Sequence, residues 1–363
     1  MIELTCLGAA VVSFVLALLA TPVTKRLAFM TGCINMPRQD RHSQKPTPLL
    51  GGVAILIAFL LPCLMALVLV HAWADGGAPH WLGSVSVHLS GAMARSDMAI
   101  VILGGAIVLH VLGLIDDRRG LGAWFKLACQ FAIASGVVWL GGLRLLTLLG
   151  EPWSMLTTTF WIVLITNSFN FLDNMDGLSA GVAFICTAAL LAAAAASGQV
   201  FVGAMLCMLL GSLGGFLVYN FPPAGIYMGD AGSLVVGYLV AVLSILTTYY
   251  HHSPCGPYFG VFAPVVVLAM PLYDTASVIY LRLSLRLNPM IGDTRHFSHR
   301  LLRRGMSTRK AVLTIYAATL ATAVGATILP YVDKLRAVLI VAQTLAVLLI
   351  IALMESSDAK GKP

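Results

Sequence analysis

Charge is scarce in this 363-residue chain. Asp, Glu, Lys and Arg make up 10% of it against 59% hydrophobic residues, and the mean hydropathy is +0.92. Soluble domains carry about a quarter charged residues, so the composition excludes a wettable globular surface and points to lipid as the solvent. Disordered, fibrous and nucleic-acid-binding classes fall with it, and no nucleic-acid partner is expected. The formal charge of +7 is informative through its placement along the chain. Closely spaced cysteines are also missing. Cys6, Cys33, Cys63, Cys129, Cys186, Cys207 and Cys255 stand apart, most of them inside apolar runs, which argues against a disulfide framework or a zinc site and leaves small core side chains. The first apolar run, Leu4 to Val23, lacks a basic segment before it and is followed by Lys25 and Arg26. It reads as a retained membrane helix with its N-terminus outside, not as a signal peptide.

Long apolar runs are what the chain has in excess. Crossing the hydrocarbon layer takes roughly 20 apolar residues. Eleven such runs recur, with approximate limits 4–23, 49–70, 97–115, 122–141, 153–172, 177–197, 199–220, 230–248, 259–283, 308–329 and 335–354. The expected fold class is all-α, a polytopic integral membrane helix bundle of about 11 transmembrane helices. It forms a single domain over 1–363, ending in a short polar tail at 355–363. Eleven spans put the termini on opposite sides, and alternate loops then reveal the orientation. Eighteen of the 22 Lys and Arg fall after runs 1, 3, 5, 7 and 9 or in the C-terminal tail, and only Arg95, Arg144, Lys334 and Arg336 fall on the other side. Cytoplasmic loops are the positive ones, so the C-terminus is expected to be cytoplasmic. With no soluble domain, chemistry must sit at helix ends or in cytoplasmic loops, the longest of which runs from about Arg282 to Thr308.

Carboxylates near the bilayer are costly, on the order of 3 kcal/mol at its centre, yet here they cluster. Asp116 and Asp117 close the third run in VLGLIDDRRG, Asp173 and Asp176 follow the fifth in NSFNFLDNMDGLSAG, and Asp230 opens the eighth in YMGDAGSL. By the span count all five lie on the cytoplasmic side. A single acid at a helix end has the ordinary reading of a cap. Adjacent carboxylates repel, so keeping Asp116 and Asp117 both ionised calls for a cation, a basic partner or a shared proton. Oxygen-only ligands suit a hard divalent ion, most naturally Mg²⁺, which completes its shell with waters and substrate phosphates. Asn170, Asp173, Asp176 and Gly177 form a polar hinge, and Gly229 to Ser233 let helix N-terminal N–H groups approach an anion.

Basic groups supply the counterpart. Lys126 and Gln130 lie one turn apart at the start of the fourth run, where Lys126 either meets a phosphate held near the carboxylates or snorkels to the interface. In DTRHFSHRLLRRG, His296 and His299 are flanked by Arg295, Arg300, Arg303 and Arg304. Two histidines lack the further ligands of a zinc site, whereas guanidinium and imidazole donors suit a diphosphate. RHSQKPTPLLGG adds His42 and Lys45, which read either as phosphate-attracting groups or as plain inside charge.

Together these elements resemble the polyprenyl-phosphate N-acetylhexosamine-1-phosphate transferases of glycosyltransferase family 4, in order along nearly the whole chain. RHSQKPTPLLGG resembles the first cytoplasmic motif, IDDRRG with Lys126 and Gln130 the aspartate-pair motif, and NSFNFLDNMDGLSAG the asparagine/aspartate motif. YMGDAGSL and PLYDTASVIYLRL follow, and DTRHFSHRL is similar to the histidine loop. Eleven spans with the N-terminus outside fit the N-acetylglucosamine-1-phosphate branch. There are departures. Ser298 lies between His296 and His299 where fuller histidine motifs carry another imidazole. The extended histidine run of the phospho-N-acetylmuramoyl-pentapeptide transferases is absent, and Arg118 and Arg119 follow the aspartate pair without a third acid.

The resemblance implies transfer of a sugar-1-phosphate, N-acetylglucosamine-1-phosphate first among candidates, from a UDP-sugar to undecaprenyl phosphate, with release of UMP. It starts a cell-envelope polysaccharide at a bacterial inner membrane, with the site facing the cytoplasm. Expected roles are Mg²⁺ (Mn²⁺ as a substitute) on Asp230 with Asn170, and acceptor activation by Asp116 or Asp117. Asp173 and Asp176 would shape the nucleotide and metal site. His42, Lys45, Lys126, Gln130, His296, His299 and Arg300 would bind substrate. A homodimer is compatible with this reading, and so are direct attack and a phospho-aspartate route. The alternatives are a phospho-N-acetylmuramoyl-pentapeptide transferase and, from another class, an ion- or proton-coupled transporter, which would place acids near the midplane. Asp274 alone suits that, and beside Pro271 it reads as a residue supporting the site.

Overall fold

The structure is a computed structural model that describes residues 2–35, 46–77, 86–247, 258–288 and 296–356. His42, Lys45 and most of the polar tail lie outside the described residues. The long helices follow the apolar runs: α1 (Ile2–Thr31), α2 (Gly51–Gly76), then the short α3 (Leu89–Met93), α4 (Ser96–Arg119), α5 (Ala123–Leu140), α6 (Trp153–Leu172), α7 (Leu178–Ala196), α8 (Val200–Asn220) and α9 (Gly229–Leu246). A two-residue strand pair, β1 (Ile34–Asn35) and β2 (Thr47–Pro48), closes antiparallel between α1 and α2. The first run continues to Thr31, eight residues past its expected end, because Lys25 and Arg26 extend the helix beyond its apolar part.

The ninth run is not one straight helix. It forms α10 (Ala263–Val267) and α11 (Ala269–Ser284), bent by 63°. Pro271 lacks the N–H that would bond the Val267 carbonyl, and its ring crowds that turn, so the helix breaks at Leu268. The short α12 (Phe297–Arg303), α13 (Thr308–Ile328) and α14 (Lys334–Ser356) complete the chain. Among the described residues ten helices are long and apolar enough to span, or eleven if the bent pair counts as one. The chain is an all-α, multi-pass membrane protein.

The centre of the bundle is α9. In its apolar window 83% of residues are buried, against 17% in α1 and in α14, which therefore stand at the lipid-facing rim. Helix association in lipid relies on close backbone approach, and the first turn of α9 achieves it twice. A Cβ on Gly113 of α4 would lie 2.4 Å from the Cα of Ala231, and one on Gly52 of α2 would lie 2.3 Å from the Gly232 nitrogen. The His110 ring on α4 adds a hydrogen bond from Nδ1 to the Ala231 carbonyl at 2.9 Å. Gly113→Val should therefore cost about 1–3 kcal/mol of stability and displace Asp230. Gly104→Val, on the same helix with nothing within 4 Å of its would-be Cβ, should be near neutral. Thermal unfolding of the two variants in one detergent tests this, and equal melting points would contradict the slot.

Candidate active site

The C-terminal turn of α4 supplies two adjacent carboxylates. Successive residues of a helix point about 100° apart, so the pair divides its partners. Asp117 turns to α9, where its Oδ1 accepts the Asp230 N–H at 2.9 Å and its Oδ2 the Ala231 N–H at 3.1 Å. These are orphan donors of a helix N-terminus, and the α9 N-cap residue, Met228, offers them no side-chain acceptor. Gly229 makes the approach feasible. Its φ is +70°, and a Cβ there would sit 2.7 Å from Asp117 Oδ2.

Asp116 turns to α5. Its Oδ1 accepts the Leu121 N–H at 2.6 Å, and its Oδ2 accepts from the Lys126 ammonium at 2.7 Å. Lys126 also donates to Asp230 Oδ2 at 2.6 Å. The Asn170 amide on α6 then donates to Asp230 Oδ1 at 3.0 Å and to Ser233 Oγ at 2.9 Å. Four helices thus meet in one charged network, with an ammonium between two carboxylates. Low dielectric strengthens such a network and makes an unpaired member costly.

A cleft of about 810 Å³ opens beside it. Asp117, Asp173, Asp176, Asp230 and His299 all line it. Asp173 caps α6, and Asp176 Oδ2 accepts the Ala224 N–H at 2.9 Å. A second cavity of about 760 Å³ lies at the opposite ends of α2, α4 and α8. Its lining is mainly apolar and holds no carboxylate, so the concentrated chemistry belongs to the first.

The structure therefore brings together Asp116, Asp117, Lys126, Asn170 and Asp230 in direct contact, with Asp173, Asp176 and His299 around the adjoining cleft. Three other residues expected to meet substrate are placed elsewhere. Gln130, one turn deeper than Lys126, is 2% exposed and accepts a hydrogen bond from Asn167 of α6. His296 and Arg300 turn onto α11, where they meet Asp274 and Ser277. Conversely, Asn174, Asn220, Tyr227 and Arg309 line the cleft without having been singled out. Asn174 sits in the asparagine/aspartate run and Tyr227 two residues before Gly229, so proximity to a motif was a signal for both. The sequence shows Arg309 only as one of several loop charges.

Residues 99–248 match the family described as Glycosyl transferase family 4. The chain is 32% identical over 314 residues, 84% of its length and 80% of the relative's, to a probable undecaprenyl-phosphate N-acetylglucosaminyl 1-phosphate transferase of Bacillus subtilis. It is 29% identical to a decaprenyl-phosphate N-acetylglucosaminephosphotransferase of Mycolicibacterium smegmatis, covering 97% of this chain and 88% of that one. To an undecaprenyl-phosphate alpha-N-acetylglucosaminyl 1-phosphate transferase of Escherichia coli K12 it is 25% identical, over 83% and 78% of the two chains. The carboxylate-lined helix ends and these extended similarities agree, and the chain belongs to glycosyl transferase family 4.

Proposed function

We propose that this chain transfers N-acetylglucosamine-1-phosphate from UDP-N-acetylglucosamine to undecaprenyl phosphate, forming a lipid-linked sugar diphosphate and UMP. The observation that carries the reading is the meeting of Asp116, Lys126 and Asp230 beside a carboxylate-lined cleft at one end of the bundle. That end is the one flanked by most of the Lys and Arg, which supports a cytoplasmic orientation. Carboxylates at a helix-end cleft do not line a path across the bilayer, which weighs against a transporter.

The donor set also suits Mg²⁺. Asp116, Asp230 and the Asn170 amide can each present oxygen, and the two carboxylates already converge on one cation, the Lys126 ammonium. Among the described residues no three His, Cys, Asp or Glu side chains form a ready metal cage, so an ion here would take most of its shell from waters and substrate phosphates. Asp230, Asp116 and Asn170, its amide turned to present oxygen, would hold it, and the ion would supply neutralisation of diphosphate charge. Asp117, the member of the pair that faces the cleft, orients the acceptor phosphate. That phosphate's second pKa near 6 asks little of a base. Lys126 neutralises negative charge on the phosphate oxygens as it shifts during transfer. His299 and Arg309 present donors to the diphosphate or sugar across the cleft.

The experiment is UMP release by purified protein, with lipid and Mg²⁺ omitted in turn and a panel of UDP-sugars as donors. Release that needs both and is fastest with UDP-N-acetylglucosamine is expected. Asp230→Asn should lower turnover about 10²–10³-fold. Metal-independent release, or a fully active Asp230→Asn, would count against the metal assignment.

A further inference from the structure

A buried carboxylate–imidazole contact joins α11 to α12 outside the charged network. Asp274 is 1% exposed inside the broken span, where a carboxylate persists only if it is matched. Its Oδ2 lies 3.0 Å from His296 Nδ1, and its Oδ1 accepts the Phe297 N–H at 2.9 Å. With the carboxylate as acceptor, the imidazole donor of this contact is Nδ1–H. One side chain thereby holds two consecutive residues at the start of α12. Phe171 packs its ring edge-on to His296 at 5.7 Å, and Ser277, one turn beyond Asp274, accepts from Arg300 at 2.8 Å. The other side of α12 meets the cleft. There Ser298 Oγ donates to Asn174 Oδ1, and His299 lines the wall with Asp173 and Asp176.

We propose that Asp274 is a positioning residue for the transfer: its carboxylate fixes His296 as the Nδ1–H tautomer and seats the start of α12, which sets His299 against the cleft. The role rests on reading the cleft as the donor-substrate site. His296 then acts through Nδ1 alone and does not touch substrate, whereas His299 does.

Three variants and one spectrum test it. His296→Asn carries an N–H donor close to the place of Nδ1 and lacks anything at Nε2, so its kcat and its KM for the nucleotide sugar should stay within about threefold of the parent, less than one hydrogen bond is worth. His299→Ala should raise that KM about tenfold to a hundredfold, the worth of one charge-assisted hydrogen bond. Asp274→Ala removes both acceptors and should raise the same KM by a similar factor. Combined with His299→Ala it should add little. Fully additive effects, or an inactive but folded His296→Asn, would overturn the assignment. ¹⁵N-histidine spectra, with His296→Asn used to assign the signal, give a readout independent of turnover and of the stability of the Asp274 variant. A ring protonated at Nδ1 is expected, and one protonated at Nε2 alone would overturn the clamp. Absence of turnover in the parent with every donor would defeat the functional reading, while the spectrum still judges the clamp.

Discussion

Lys126→Met will sharply lower turnover and, in the absence of divalent ions, will also destabilise the protein. Methionine keeps the length and the apolar stem of lysine but removes the only cation between Asp116 and Asp230 among the described residues. Breaking a fully buried ion pair costs about 3–5 kcal/mol, because a desolvated charge is left behind. The Asp230 side chain keeps 32% of its exposure, so water screens part of the loss and about 2 kcal/mol is the expected cost. The effect on rate is larger. Loss of a donor aimed at developing charge lowers turnover about 10²–10³-fold. Added Mg²⁺ should restore part of the stability, since it replaces the missing charge, but not the rate, since Lys126 serves the phosphate as well. Thermal unfolding with and without Mg²⁺ separates these outcomes. A variant as stable as the parent without metal would show that the two carboxylates do not depend on Lys126.

Asp117→Ala is expected to combine a loss of activity with a loss of fold, whereas Asp230→Ala loses activity alone. Asp117 lies on α4, yet both its oxygens serve the first turn of α9. Hydrogen bonds to a charged group contribute about 1.5–3 kcal/mol each, so their joint removal should cost about 3 kcal/mol or more and free the turn that carries Asp230. Asp117→Asn restores one acceptor but sets an amide against the second N–H, so it should recover only part of the stability. Asp117→Glu should not recover activity, because the added methylene enters the space that Gly229 leaves open. In Asp230→Ala the two backbone N–H groups still bond Asp117, and Lys126 still has Asp116. Its melting point should stay close to the parent's while turnover falls by at least about 10³-fold. Similar melting points for the alanine variants at 117 and 230 would contradict the assigned anchoring role.

The spans were legible because hydrophobic run length is read directly by the bilayer: the run 153–172 returns as Trp153–Leu172 and 199–220 as Val200–Asn220. The ninth run reads as a single span in the sequence, because a proline alone does not tell whether or how far a helix bends, and the 63° break appears only in the folded chain. Residue types at the site were legible through the cost of placing acids beside lipid. Their pairing was not. Lys126 and Asp230 are 104 residues apart, and neighbours such as Asp116 and Asp117 look alike in sequence while a 100° turn of the helix sends one to α5 and the other to α9. The same ambiguity covered His296 and His299, one of which meets Asp274 while the other lines the cleft. For Gln130 helical spacing was sound in direction, but each turn along α5 moves about 5 Å away from the charged network, toward Asn167.

The most direct measurement follows phosphorus. With UDP-N-acetylglucosamine labelled at the β-phosphate, undecaprenyl phosphate and Mg²⁺, purified protein should move the label into the lipid phase and release UMP in equal amount. Label that stays with the nucleotide, with UDP as the released product, would mean transfer of the sugar without its phosphate and would contradict the account.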